Sequence, residues 1–205
     1  MTSLDTEALY SIVLHPNDIF FEECELLFNN NNLDLTLLNN PLRFNFQIKA
    51  PFYLSHLYSE NDMINNLKET NILDSKSIFD KEYKFISTSQ INNNLVMIFE
   101  DDQKLNFFKS SIVRSFDIFR KTLDPKEFKK DISRYNNLSE KEFYYYQIWG
   151  YPYYYECSSH HISLLKNKNV NYLESSFSQI QYGSLKLLKQ KNIDNDDYIE
   201  LTSIS

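Results

Sequence analysis

An α+β fold that is predominantly α-helical is expected, with a small β-containing unit over residues 1–80 and a helical domain over residues 81–205. Three observations predict it. Apolar residues recur at helical spacing through the middle of the chain, helix-start signals cluster there, and period-two alternation is confined to the first quarter. A chain of 205 residues, 42% hydrophobic and 24% charged, suits one globular domain or one with a small appendage.

Taken in order, Met1 to Tyr10 carries Asp5 and Glu7 and no basic residue, so neither a secretory signal nor an Arg-rich transit segment is expected. No apolar run approaches the roughly 18 residues of a membrane span. With only Cys24 and Cys157 there is no disulfide framework, and an intracellular protein is the expectation. Asn17 and Asp18, after Pro16, open a short helix through Leu27, its acids facing the positive end of the dipole. Leu33–Leu37 and Leu42–Ile48 alternate as half-buried strands do, about a turn at Asn39-Asn40-Pro41. Pro51 is expected at the first turn of a helix, Phe52 to Tyr58, wedged between that sheet and the helical domain.

The securest helix lies in Lys104 to Leu123, where Leu105, Phe108, Ile112, Phe116, Phe119 and Leu123 form one stripe. Glu100-Asp101-Asp102 precedes it and reads as an N-cap in preference to a cation chelator. Asp124-Pro125-Lys126-Glu127 and Ser139-Glu140-Lys141-Glu142 are capping boxes that start two more helices. Leu173, Phe177, Ile180, Leu187 and Leu188 suggest a last one.

Composition narrows the chemistry. Asn, Lys, Ile, Tyr and Phe are abundant, as an AT-rich genome would dictate. The two glycines, Gly150 and Gly183, cannot build a phosphate cradle, a dinucleotide fingerprint or a nucleophile elbow. The net charge of −7 is concentrated in residues 1–80, where twelve acids face four bases. Lys104 to Lys141 holds ten bases and five acids, a mixed solvated face before it is a nucleic-acid footprint. Cys157, His160 and His161 lie close together but supply too few ligands for a tetrahedral metal site, and a polar loop accounts for them. The aromatic block Phe143 to Tyr155, centred on Trp149, lacks local bases and reads as core or protein interface.

Several segments together resemble the third Psf-type subunit of the GINS complex. Tyr10, Asn17-Asp18-Ile19 and Glu22-Glu23 are similar to its opening, and Lys49-Ala50-Pro51-Phe52-Tyr53-Leu54-Ser55-His56-Leu57 looks like its lysine and Pro-Leu-Trp-Leu-Ala segment. Ser111 to Arg120 and Leu138 to Phe143 are similar to two later segments, so the resemblance spans residues 10–150. It implies a non-enzymatic scaffold of the replicative helicase in DNA replication, without cofactor or metal. Its partners would be the other GINS subunits and the MCM helicase, with DNA touched at most indirectly and no membrane. The nucleus would be its location, and the cytoplasm otherwise. The surfaces expected at the interface or domain junction are Pro51, Phe52, Tyr53, Leu54, Leu57, Ile112, Phe116, Phe119, Phe143 and Trp149. The alternative is a small helical protein-binding module of immunity or inhibitor type from an AT-rich microbe or virus, its acidic amino-terminal surface covering a basic partner. A nucleic-acid module built on Lys104 to Lys141 ranks third and an enzyme last.

Overall fold

The computed structural model describes residues 8–70, 72–91, 94–133, 135, 137–154, 159–165, 177–190 and 197–205. Its elements in chain order are β1 (Leu9–Pro16), α1 (Asp18–Asn30), β2 (Phe46–Tyr53), α2 (Glu60–Glu69), α3 (Ile72–Phe79), β3 (Glu82–Ile91), β4 (Asn94–Phe99) and α4 (Gln103–Phe116). They continue with α5 (Pro125–Ile132), α6 (Glu140–Trp149), β5 (His161–Leu165), β6 (Gln179–Gln190) and β7 (Tyr198–Ile204). All seven strands join one antiparallel sheet in the order β2-β1-β6-β3-β4-β5, with β7 also on β6.

The expectation of a predominantly helical fold is therefore corrected to a sheet-rich α+β architecture, which is not the helical build of a GINS subunit. Strands on either side of residue 80 pair directly, and β6 is the spine. One edge of β6 takes β1, while the other takes β3 at Gln179–Gln181 and β7 from Leu185 to Gln190. The two ends of the ladder come back towards each other: Arg43 Nη2 donates to the Leu164 carbonyl of β5 at 3.4 Å, and the Phe46 ring of β2 lies 4.6 Å from that of His160.

Most helix-start signals act as written. Asn17 caps α1 by accepting from Phe20 N–H, Asp102 caps α4 through Leu105 N–H, and both capping boxes close, at Asp124/Glu127 and at Ser139/Glu142. Leu105, Phe108, Ile112, Phe116 and Phe119 are all buried in one continuous core with Phe20, Phe44, Tyr83 and Tyr182. α4 itself stops at Phe116, and a single 3₁₀ turn, Asp117–Phe119, leads into extended chain.

Three elements differ from expectation. Leu35–Asn39 and Pro41–Arg43 are 3₁₀ turns, because Asp34 caps the first by accepting from Thr36 N–H and Pro41 starts the second; the strand begins only at Phe46. Pro51 sits inside β2, not at a helix start. Neighbouring β1 pairs one edge of β2, while its far end meets residues 119–121, with Lys121 N–H to Tyr53 O at 2.7 Å and Ser55 N–H to Phe119 O at 2.8 Å. A proline is tolerated in such an edge strand. Finally, Ile180, Leu187 and Leu188 belong to β6. A register shift between Leu187 and Leu188 puts two apolar residues in succession and breaks the alternation that marks a strand. Leu173 lies outside the described residues, and no helix described is long and apolar enough to cross a membrane.

Candidate functional site

Charged groups are buried along β2. Lys49 interrupts the apolar run Phe46–Tyr53 and is 0% exposed. A buried ammonium requires a partner, and Asp117, in the turn that ends α4, supplies it: Nζ lies 3.2 Å from Oδ1 and 5.3 Å from the centre of the Phe52 ring. Burial pulls the Lys49 ammonium down to about 8 against the opposing pull of Asp117. For Asp117 burial works upward but is outweighed by Arg120 and Lys49, which hold the carboxyl below its usual range.

Arg120 extends the chain of charges. Its Nε donates to Asp117 Oδ1 at 2.8 Å and its Nη2 to the Ile148 carbonyl at 2.6 Å, tying β2 and α4 to the end of α6. Gly150 makes room for it. That residue ends α6 with φ +72°, and a Cβ there would stand 2.9 Å from Arg120 Cδ. Nη1 of Arg120 takes no hydrogen bond among the described residues.

A second buried lysine, Lys109 of α4, lies nearer the start of β2. It is 7% exposed, with Nζ 5.2 Å from the centre of the Phe46 ring and 5.6 Å from that of Tyr154. Burial lowers it to about 8, opposed by Asp101. The Tyr154 hydroxyl accepts from Ala50 N–H at 3.3 Å, so β2 also fixes this aromatic wall.

Two histidines feel the charge of Lys109 and play opposite roles. His160 is 3% exposed; Nδ1–H donates to the Glu100 carbonyl at 2.8 Å, which leaves Nε2 to accept from the Tyr182 hydroxyl at 2.5 Å. Burial lowers it to about 4, so it is a neutral core residue near neutral pH. His161 begins β5 and is half-buried. Its Nδ1 lies 3.0 Å from the Ser159 carbonyl, which can only accept, so Nδ1 carries the proton and Nε2 presents a lone pair. Nε2 has no hydrogen-bond partner among the described residues. Burial, reinforced by the charge of Lys109, lowers its pKa, although the Ser159 bond opposes this. The arrangement thus combines a desolvated cation, two aromatic walls and a neutral imidazole able to accept a proton or a hydrogen bond.

The polar loop expected at His160 and His161 is corrected by this geometry: one is core and the other starts a strand. Cys157 lies outside the described residues, and among those described no group of three or more His, Cys, Asp or Glu side chains could hold a metal ion.

At the far end of β2 a pocket of about 190 Å³ opens towards α5 and α6. Pro51, Phe52 and Tyr53 line it, beside Arg120, Lys121, Phe128, Asp131 and Tyr146. Of the residues expected at an interface or junction, those first three gather here, with Leu54 bridged to Arg120 close by. Ile112, Phe116 and Phe119 are core, Trp149 is half-buried at the end of α6, and Leu57 and Phe143 face solvent.

Sequence reasoning passed over Lys49, Lys109, Asp117 and Arg120. A signal did exist for Lys109, which falls four residues after Leu105 and three before Ile112 on the buried stripe of α4. Lys49 was visible only as a lone charge within an apolar run.

The family model described as "Protein of unknown function (DUF1045)" matches residues 47–191, most of the chain, and the chain belongs to that family. No curated protein matches it. The resemblance to the GINS complex over residues 10–150 is thereby overturned. Its most recognisable segment, Lys49 to Leu57, lies within the matched stretch, and its Lys49–Tyr53 part is the end of an edge strand in place of the expected wedge helix.

Proposed function

We propose that this DUF1045 chain is a small-molecule-binding protein that takes an oxyanion, a carboxylate or phosphate group, beside Lys109 and His161. The observation that supports the reading is the pairing of a 7%-exposed ammonium on two aromatic rings with a half-buried imidazole whose Nε2 is open. Keeping an ammonium out of water opposes folding, and perturbed titratable groups of this kind gather at functional sites. An anion entering beside Lys109 would be drawn by a weakly screened charge. A hydroxyl on that anion would donate to His161 Nε2. No bond-making step is part of the proposal.

Calorimetric titration with two inorganic probes tests it at pH 6.5, where His161 is mostly neutral because its pKa lies below the ordinary value. Sulfate supplies charge without a proton, whereas phosphate also supplies a P–OH donor. Both should bind, and Lys109→Met should weaken both at least tenfold. His161→Asn should weaken phosphate selectively. Equal affinity of the wild type and Lys109→Met for both probes would overturn the assignment. Sulfate affinity should also fall as pH rises through about 8, where Lys109 loses its proton.

A further inference from the structure

The pocket at the far end of β2 is separate from the Lys109 site. Phe46 and Phe52 mark the two and lie six residues apart on one strand, about 20 Å at the usual rise. The charges at its wall do not cancel. Lys49, Asp117 and Arg120 form one cluster in which two cations share a single carboxylate, which leaves a surplus positive charge. The Lys49 ammonium lies 5.3 Å from the centre of the Phe52 ring, itself a wall of the pocket, and Arg120 lines the pocket directly. The other charged residues of the lining have partners of their own: Lys121 pairs with Glu127, and Asp131 accepts from the Tyr146 hydroxyl at 2.7 Å besides a further interaction.

Arg120 has the donors to use that surplus. A guanidinium offers five N–H groups. Nε donates to Asp117 Oδ1 at 2.8 Å, and Nη2 divides between Asp117 Oδ2 at 3.4 Å and the Ile148 carbonyl at 2.6 Å. The two N–H groups of Nη1 bond to nothing among the described residues. Because the other three already fix the side chain, an acceptor that meets Nη1 has little left to order. Gly150 keeps the position clear, since a Cβ there would stand 3.3 Å from Nη1. The remaining walls are largely aromatic: Phe52, Tyr53, Phe128 and Tyr146. An apolar cavity of about 150 Å³ holds one benzene ring, so the space of about 190 Å³ here suits a ring with one small substituent. We infer that this pocket binds a small aromatic carboxylate, a single ring bearing a carboxylate and no ammonium. The carboxylate accepts from Arg120 Nη1 and balances the surplus charge, while the ring lies among Phe52, Phe128 and Tyr146. An ammonium on the ligand would gain nothing, since Asp117, Glu127 and Asp131 are each already engaged.

Calorimetry on the full chain carrying Lys109→Met tests this, because that variant disables the oxyanion site and leaves the pocket intact. Four probes separate the contributions: benzoate, benzamide as its uncharged isostere, benzylamine as a cation, and acetate as the charge without a ring. At pH 7 benzoate should bind at least tenfold more tightly than each of the other three. Thr122 is an exposed lining residue, so Thr122→Trp should block the pocket without disturbing the core and abolish benzoate binding. Arg120→Lys keeps a cation for Asp117 but loses the Nη1 donors; it should weaken benzoate at least tenfold, with circular dichroism checking that the variant is folded. No benzoate binding at millimolar concentration, benzamide, benzylamine or acetate equal to it, or an unchanged affinity in either variant would each overturn the assignment. None of these outcomes depends on Lys109 or His161, so this site and the oxyanion site fail or stand separately.

Discussion

His160 gives the fold a built-in sensitivity to acid whose size follows from its surroundings. In the folded protein its imidazole is held neutral down to about pH 4 by burial, with both ring nitrogens engaged; in the unfolded chain it returns to its ordinary value of 6.5. A histidine with a depressed folded pKa stabilises nothing further above pH 6.5. Below it, the unfolded state binds a proton that the native state refuses, so stability falls by about 1.4 kcal/mol for each pH unit until pH 4. Over the whole window the loss is roughly 3 kcal/mol, a large part of the 5–15 kcal/mol typical of a domain. Other groups titrate in the same range, among them His15 and His161, whose pKa values are also lowered. The comparison therefore needs His160→Asn, an uncharged side chain able to reach one of the same partners. Urea denaturation of both proteins at half-unit steps from pH 7.5 to 4.5 would give the two stability curves. The variant should be less stable at pH 7.5, and the gap should close as pH falls. Parallel curves would refute the reasoning and mean that His160 titrates alike in the folded and unfolded states, as an imidazole open to water does.

Other perturbations test the buried charges and caps. Gly150→Ala should cost about 1–3 kcal/mol in thermal or urea melts, through the positive φ and the 2.9 Å approach to Arg120 Cδ. Pairing it with Arg120→Ala should recover the part owed to the clash. Asp117→Ala strands Lys49 and Arg120 and should cost about 3–5 kcal/mol, well beyond the loss of a surface ion pair. Asp102→Ala removes the cap of α4 and one of the two carboxylates that pair with Lys81, for an expected loss of about 1–2 kcal/mol in the same melts.

What the sequence made legible follows from the range of the interactions involved. Asn17, Asp102, Asp124 and Ser139 act on backbone groups two or three residues away, so their caps could be read without knowing the fold. The buried stripe of α4 is likewise a property of its own spacing. β6 resembles a helix in sequence because its partners, β1 and β3, lie far away in the chain, and a shift in its pairing with β7 disguises its alternation. Pro51 marks a helix start and an edge strand equally well, and only the neighbours of β2 decide. The two candidate sites were illegible for the same reason. Lys109 meets Phe46 and Tyr154 from separate elements, and Asp131 meets Tyr146 from another helix, so no short motif contains either set.

The pairing of β1 with β6 has a consequence for synthesis on the ribosome. β1 is buried along its whole length, yet one of its two edges waits for Gln190, the last residue of β6, to be made. At about 5–20 residues per second that interval lasts roughly 10–30 s, during which that edge of β1 stands unpaired. Contacts of such sequence separation also slow the search for the native state once the chain is released. A nascent chain stalled before residue 179 lacks its central strand, so it should be protease-sensitive and attract chaperones, whereas a chain released beyond residue 190 should not.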